Sequence, residues 1–389
     1  MTPKDFSKLI EAVKIVEEFG FAGLEEALAL ILNEAMKSER SRAIGAESYE
    51  RTENRKGYAN GYKPKTVNSR LGRLELEIPQ VRGDVEFYPS ALEKGLRSER
   101  ALKVAKAEMY VQGVTTRKVR KIFEKMCGLN VTSMEVSRAA KLLDEELEKW
   151  RNRPLGEIPF VQFDARYEDV RIDGSVVSTA TLIGIGVRKD GKRTVLGVST
   201  SISEAETHWR TFFESLVRRG LHGIKMITSD ACAGLKTAMK AVFPGVPWTR
   251  CHVHLQRNSF QYVPKVDMKE KVARTISDIL TAPDLFEAKR LLEKAVNDYE
   301  KKAPKLAEWM SENIPEGFAV FNLDPKLRRK LRSTNLIERL NREIKRRTRV
   351  STLFPNEESL LRLVSAILME QSEEWETGNR YINLEGCNV

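Results

Sequence analysis

Three acidic residues, Asp164, Asp230 and Glu338, stand where this chain could carry out phosphodiester chemistry. Asp164 ends the extended run Phe160-Val161-Gln162-Phe163, and Asp230 closely follows a second run, Lys225-Met226-Ile227-Thr228. An acid at the carboxyl end of a sheet strand lies where α/β proteins place ligands and chemistry. Asp230 has a plainer reading too, because Ser229 and Asp230 are both good N-caps for the helical pattern over residues 231 to 243. Two neighbouring carboxylates repel unless cations sit between them, which is the arrangement that two-metal phosphoryl transfer requires.

The segments around these acids supply the frame. Residues 170 to 172, 176 to 187 and 194 to 199 alternate like an antiparallel meander, with Asp173-Gly174 and Asp190-Gly191 as hairpin turns. A helical period over 204 to 219, a parallel-type strand into Asp230, a helix stopped by Pro244-Gly245 and an extended run from Trp248 to Leu255 complete the order βββαβαβ. That is the ribonuclease-H-like order, in which the middle of the first strand and the end of the fourth lie side by side. Asp164 and Asp230 should therefore face one cleft. Residues 266 to 313 then read as helix with no strand signal, an all-helical insertion that separates the third acid from the first two.

That third acid lies in an unusually basic stretch. Residues 326 to 350 hold eleven Lys or Arg against Glu338 and Glu343, a surplus of nine in a chain whose net charge is +11. Glu338 stands three residues after Asn335, which is capping-box spacing. If it faces a cleft it is instead a metal ligand whose basic neighbours grip phosphates. Glu338, Arg342, Lys345 and Arg349 recur at three- and four-residue spacing and share one helical face, with Arg339 and Arg346 as further candidate phosphate contacts.

With 389 residues, 41% of them apolar, the chain should form two or three domains with real cores. Its charge and a pI near 9.3 point to a polyanionic partner, nucleic acid first. Cys127, Cys232, Cys251 and Cys387 show no paired spacing, so neither a disulfide framework nor a zinc ribbon is indicated. The N-terminal region has no apolar run longer than residues 27 to 32, far too short to span a bilayer. The expectation is a reduced, cytoplasmic, nucleoid-associated protein.

Residues 5 to 38 fit two short helices through Phe6, Leu9, Ile10, Val13, Val16, Leu24, Leu28 and Leu32. Residues 49 to 73 are basic with interleaved tyrosines and an Asn60-Gly61 turn, either a solvated loop or a contact to a nucleic-acid backbone. Leu74, Leu76 and Ile78 then alternate as a small β element. Three helices follow at 101 to 111, 115 to 125 and 133 to 147. Thr115 and Ser133 are expected caps, and Arg117, Lys118 and Lys121 lie on the polar face of the second helix. The spacing suits a helix-turn-helix reader of DNA, although short basic helices are common. The expected domains are 1 to 96 (DNA contact or dimerisation), 97 to 150 (helix-turn-helix-like), 157 to 256 with 327 to 389 (catalytic), and 257 to 326 (insertion), with a Pro-containing linker over 151 to 159.

The chain resembles Mutator-type transposases of prokaryotic insertion sequences, nearly end to end. The resemblance rests on YERTENRKGYANGYKPK, MYVQGVTTRKV, WRNRPL, FDARYEDVR with VVSTATLIGIGV, DGKRTVLGVS, Glu206 with Trp209, RGLHGIKMITSDACAGL, WTRCHVHLQRN, STNLIERLNREIKRRTRV and LFPNEESLLRLV, in family order. It implies an acidic triad of Asp164, Asp230 and Glu338 on a ribonuclease-H-like core. It also implies two divalent ions, Mg²⁺ or Mn²⁺, and recognition of terminal inverted repeats in double-stranded DNA. A homodimer with no small-molecule cofactor and no membrane partner is expected.

The family's Cys-or-Asp, two residues, His motif is matched by Cys251 and His254. Structural zinc would need two further ligands and no second pair stands nearby, which favours a buried hydrogen-bonding pair that supports the site. Trp209 either packs under the cleft or stacks on DNA. Cys232 stands where the family usually has a His, a departure that touches no triad residue. The expected mechanism places two ions about 4 Å apart among the three acids, activating water for nicking and then the freed 3′-hydroxyl for strand transfer. A transposase-derived DNA-binding protein would not need all three acids, and a hydrolysis-only nuclease would have little use for an N-terminal sequence reader.

Overall fold

The computed structural model describes residues 7–47, 49–83, 85–92, 94, 98–349 and 353–387, and the chain divides into Met1–Leu142 and Leu143–Val389. Phe6, part of the expected first helical period, lies outside the described residues.

In the first unit, α1 (Ser7–Phe19) and α2 (Leu24–Ile44) precede a hairpin of β1 (Gly57–Ser69) and β2 (Gly72–Gly83). Leu74, Leu76 and Ile78 alternate inward against Met36, Leu28 and Leu32 of α2, while Glu75 and Glu77 face solvent. The basic segment is therefore largely strand rather than loop. Asn60-Gly61 forms a bulge within β1, and the chain reverses at Arg70 and Leu71 instead.

The helices α3 (Arg100–Val111), α4 (Thr116–Cys127) and α5 (Ser133–Ala140) close around Leu102, Val119, Phe123, Leu129, Val131 and Val136. Thr115 caps α4, accepting from the Lys118 amide at 3.0 Å. The cap of α5 is Thr132, not Ser133, because Thr132 and Glu135 complete a reciprocal capping box. The expected long third helix breaks after Ala140, and α6 (Asp144–Arg151) belongs to the second unit. Asp144 there pairs with the buried Arg362 at 2.5 Å, so that unit begins ahead of the expected boundary at 150.

The second unit continues with β3 (Phe160–Ile172), β4 (Ser175–Val187), β5 (Arg193–Ser201), α7 (Glu206–Arg218), β6 (Met226–Ser229), α8 (Ala233–Val242) and β7 (Trp248–Arg250). The sheet order is β5-β4-β3-β6-β7; the first three strands are antiparallel, and β6 and β7 join in parallel. Asp173 (φ 48°) and Gly174 (φ 82°) both take the left-handed conformation that a two-residue hairpin favours. The last expected strand is short. It stops at Arg250, and α9 (His252–Ser259) carries the residues expected to continue it.

Then follow α10 (Lys269–Leu280), α11 (Leu285–Glu300), α12 (Pro304–Asn313) and the 3₁₀ segment Ile314–Asn322. They pack around Val272, Ile276, Leu292, Leu306, Met310 and Phe318, a core of their own. The chain returns to the sheet with α13 (Pro325–Leu331), α14 (Asn335–Thr348) and α15 (Glu357–Thr377).

The period of two along β3 assigns its side chains to two layers. Val161 and Phe163 pack with Trp209, Phe212 and Phe213 of α7, whereas Phe160 packs with Leu327 and Leu331 of α13. Gln162, on the Phe160 side, donates to the Ser333 carbonyl at 3.1 Å. Asp164 shares that side. The Phe163 ring lies so close to Gly184 that a Cβ there would stand 2.8 Å from it, so any larger residue would push the ring off the sheet. The result is a mixed α/β unit, one sheet between two helical layers.

Candidate active site

Strand register brings the first two acids together. Phe163 of β3 pairs in parallel with Ser229, the last residue of β6; Asp164 is the next residue of β3, and Asp230 is the first residue beyond β6. Adjacent strands lie roughly 5 Å apart, so the two acids stand side by side where β6 ends beside the central strand β3. Glu338 approaches from the opposite wall, on α14, whose Leu336, Ile337, Leu340 and Ile344 face inward and leave Glu338, Asn341, Arg342 and Lys345 on the open side. All three acids line one cleft of about 820 Å³, with Arg166, Tyr167, Glu204, Arg250, His254 and Arg257 among its other walls.

Asp230 does hold the Ala231 amide at 2.7 Å, but Cys232 is the residue at the N-cap of α8. Asn335 is the first residue of α14 rather than its cap. Thr334 takes the cap position, and its hydroxyl and amide both donate to Cys251 Sγ at 3.3 Å. That shift puts Glu338 one residue out of capping-box register, and its carboxylate turns to His254 Nε2 (3.5 Å) and Arg257 Nη2 (3.3 Å).

His254 is the hub of the cleft. One ring nitrogen faces Glu338, and the other, buried, stands 4.0 Å from Asp230 Oδ2. Burial works against its charged form, yet the Cys251 sulfur and the Asp230 and Asp164 carboxylates outweigh it and push its pKa up to about 9. Desolvation raises the pKa of the half-buried Asp164 to about 6; the His254 charge opposes that shift, while Asp230 and Glu204 add to it. Cys251 is fully buried at the start of α9, a consequence of β7 ending early.

Several participants carried no recognised signal in the sequence. Asn341 donates to Asp164 Oδ2 at 3.0 Å; its place three residues after Glu338 was legible, but its polar side chain was not read as part of the face. Arg250, immediately before Cys251, points its Nε toward Asp230 Oδ1 at 3.6 Å. Glu204, between β5 and α7, adds a fourth acid to the cleft.

Of the expected phosphate contacts, Arg342 and Lys345 line the cleft and are exposed. Arg349 is exposed further along the helix, and Arg339 is exposed near Arg193 and Tyr381. Arg346 is gripped by Glu343 in a two-pronged pair at 2.8 and 2.7 Å, which occupies its guanidinium. In the first unit, Arg117, Lys118 and Lys121 are all exposed on α4 and join no ion pair among the described residues. Trp209 is fully buried among Phe163, Phe212 and Phe213, so it packs beneath the cleft and presents no face to DNA.

The donor set suits a hard divalent ion, because Asp164, Asp230 and Glu338 offer only oxygen. Orphaned buried polar atoms surround it: Arg250 Nε and Asn341 Oδ1. Among the described residues no three ligand side chains converge on a single point as they stand, and His254 lies between Asp230 and Glu338.

Carboxylates and cations sharing an open cleft of an α/β unit, in a chain of charge +11, define a protein that works on a polyanion. The model of the family "Transposase, Mutator family" matches residues 1–378. The transposase for insertion sequence element IS406 of Burkholderia multivorans is 51% identical over 368 residues, 94% of this chain and 95% of that one. The transposase for ISRM5 of Rhizobium meliloti is 39% identical over 99% of this chain and 96% of its own. That for IS256 in transposon Tn4001 of Staphylococcus aureus is 36% identical, with 99% and 100% covered. The chain belongs to the Mutator family of transposases, and its activity is that of a DNA transposase. No helix among the described residues is long and apolar enough to cross a membrane.

Proposed function

We propose that the second unit is a ribonuclease-H-like catalytic core and that Asp164, Asp230 and Glu338 are its metal-binding triad, cutting the ends of an insertion sequence and joining them to target DNA. The observation that carries this reading is the register that sets Asp164 beside Asp230, with Glu338 facing both across one cleft. Two divalent ions, Mg²⁺ or Mn²⁺, held by the triad would supply Lewis-acid activation of water and of the 3′-hydroxyl.

The chain's own residues account for the rest of the reaction. Asn341 fixes the Asp164 rotamer through Oδ2. Arg257 and His254 carry positive charge beside Glu338 and Asp230, which keeps neighbouring acids from repelling one another before an ion binds. Arg342 and Lys345 follow Glu338 along α14, so phosphates of an incoming strand meet them next to the reacting centre.

Sequence reading falls to the first unit. The exposed cations of α4 suit the phosphates and groove of a terminal inverted repeat. The hairpin supports a second, less selective contact: Tyr58, half exposed, lies between Arg55 (5.4 Å) and Arg82 (5.6 Å). Exposed Leu9, Ile10 and Val13 on α1 support a homodimer. Incubating the protein with Mg²⁺ or Mn²⁺ and DNA carrying its own element ends tests the reading: nicked ends and strand-transfer products are expected, and their absence with both metals would refute it.

A further inference from the structure

We propose that Arg250 is a positioning residue for Asp230, and that through it the docking of the helical insertion sets the geometry of the second acid. The inference rests on the reading of Asp230 as a metal-binding residue and adds a role for a segment otherwise read as a spacer.

Arg250 is the last residue of β7 and pairs in register with Ser229, the residue before Asp230. Its side chain is almost wholly buried, 8% exposed. Nη1 is held from the insertion side, 3.0 Å from Asn313 Oδ1 at the end of α12 and 3.1 Å from Glu316 Oε2 in the following 3₁₀ segment. Nε, at the other edge of the same plane, is buried without a hydrogen-bond partner and stands 3.6 Å from Asp230 Oδ1. A guanidinium is rigid, so two acceptors anchoring Nη1 also aim Nε. A buried donor left unpaired is costly, and closing the remaining few tenths of an ångström to Oδ1 removes that cost.

The consequence falls on the carboxylate. Oδ1 already accepts from the Ala231 amide at 2.7 Å, and a second donor from Arg250 locks that oxygen against the protein. Oδ2, on the His254 side, is then the oxygen turned to a ligand. Glu316 also receives Lys236 Nζ of α8 at 2.5 Å, so it ties the insertion both to the helix that follows Asp230 and to the strand beside it. Among the described residues Lys236 forms its ion pair with Glu316 and none with Asp230, so it separates docking of the insertion from aiming of Arg250.

The test uses the full chain and direct titration with Mn²⁺, followed by the spin-resonance signal of the free ion, alongside Tm and binding of end DNA. Arg250→Lys keeps the charge but not the fork, and Glu316→Ala removes the anchor while leaving Arg250 in place. Both should weaken Mn²⁺ binding about tenfold, the order expected for supporting contacts to a ligand, while end-DNA binding is unchanged. Lys236→Met should stay within twofold of the unsubstituted chain. If Arg250→Lys lowers Tm by many degrees, Glu316→Ala decides. Mn²⁺ binding that is lost in Asp230→Asn but unaltered in Arg250→Lys and Glu316→Ala would overturn the role of Arg250 alone. An equal weakening in Lys236→Met would show that docking of the insertion acts by a route other than Arg250 and overturn it too. Mn²⁺ binding indifferent to Asp230→Asn would overturn the metal reading, and this inference with it.

Discussion

Asn341 donates to Asp164 Oδ2 at 3.0 Å from the same face of α14 that carries Glu338, so one helix both presents the third acid and orients the first. The Asn341 carbonyl also accepts from Arg166 Nη1 at 3.2 Å, which pins this turn of α14 to β3. Replacing Asn341 by Leu should lower single-turnover end cleavage by about 10- to 100-fold, the usual cost of removing a supporting contact to a metal ligand. End-DNA affinity should not change. An equal loss of binding and cleavage would place Asn341 in DNA contact instead.

Arg342 and Lys345 line the cleft, whereas Arg346 is paired with Glu343. Replacing Arg342 and Lys345 together should flatten the slope of log affinity against log salt by about one to two units, since each phosphate contact contributes about 0.9. Arg346→Ala should leave the slope nearly as it was. A solvated basic face with no role in binding would give an unaltered slope in both variants.

How much of this was legible in the sequence depended on the range of the interaction. Period-two alternation and the turns at Asp173-Gly174 and Asp190-Gly191 are local, and they led to the meander and to Asp164 on its first strand. The helical period over 204 to 219 likewise located α7, although it could not decide whether Trp209 packs or stacks; burial among three phenylalanines depends on strands far away in the chain. Residues 251 to 255 read as strand because Val253 and Leu255 alternate with polar neighbours, yet a helix starts there and buries Leu255 against the insertion. Capping at Asn335 failed for a similar reason: Thr334 is drawn to Cys251, a partner 83 residues away. Asn341 and Arg250 were missed because their partners, too, are set by tertiary packing.

Burial should reveal Trp209 through stability. Trp209→Ala is expected to cost about 3 to 5 kcal/mol, the range for emptying an aromatic core site. Trp209→Phe should retain end-DNA affinity at a temperature well below its Tm. A Phe variant that folds normally but loses DNA binding would return Trp209 to the DNA surface.

His252 gives the fold a pH dependence of its own. Its Nε2 lies 2.9 Å from the Gly317 carbonyl, Nδ1 is buried without a partner, and burial holds its pKa down to about 4. Because the folded pKa is depressed, the unfolded chain binds the extra proton between pH 6.5 and 4, and stability is lost as pH falls through that window. The loss from this residue between pH 7 and 4.5 should be roughly 2 to 3 kcal/mol. Urea unfolding at the two pH values should show a smaller difference in His252→Gln, and an identical difference would show that His252 is charged in the folded state.

The most direct test of the account is metal-dependent strand transfer by Asp164→Asn, Asp230→Asn and Glu338→Gln, measured with terminal-repeat DNA beside binding of the same DNA. Each substitution removes one negative charge from the cleft, and none removes a cationic side chain from it. All three variants should bind the ends at least as tightly as the unsubstituted chain and yield no cleaved or joined product in Mg²⁺ or Mn²⁺. Strand transfer persisting in any one of them would contradict the assignment of that residue to the triad.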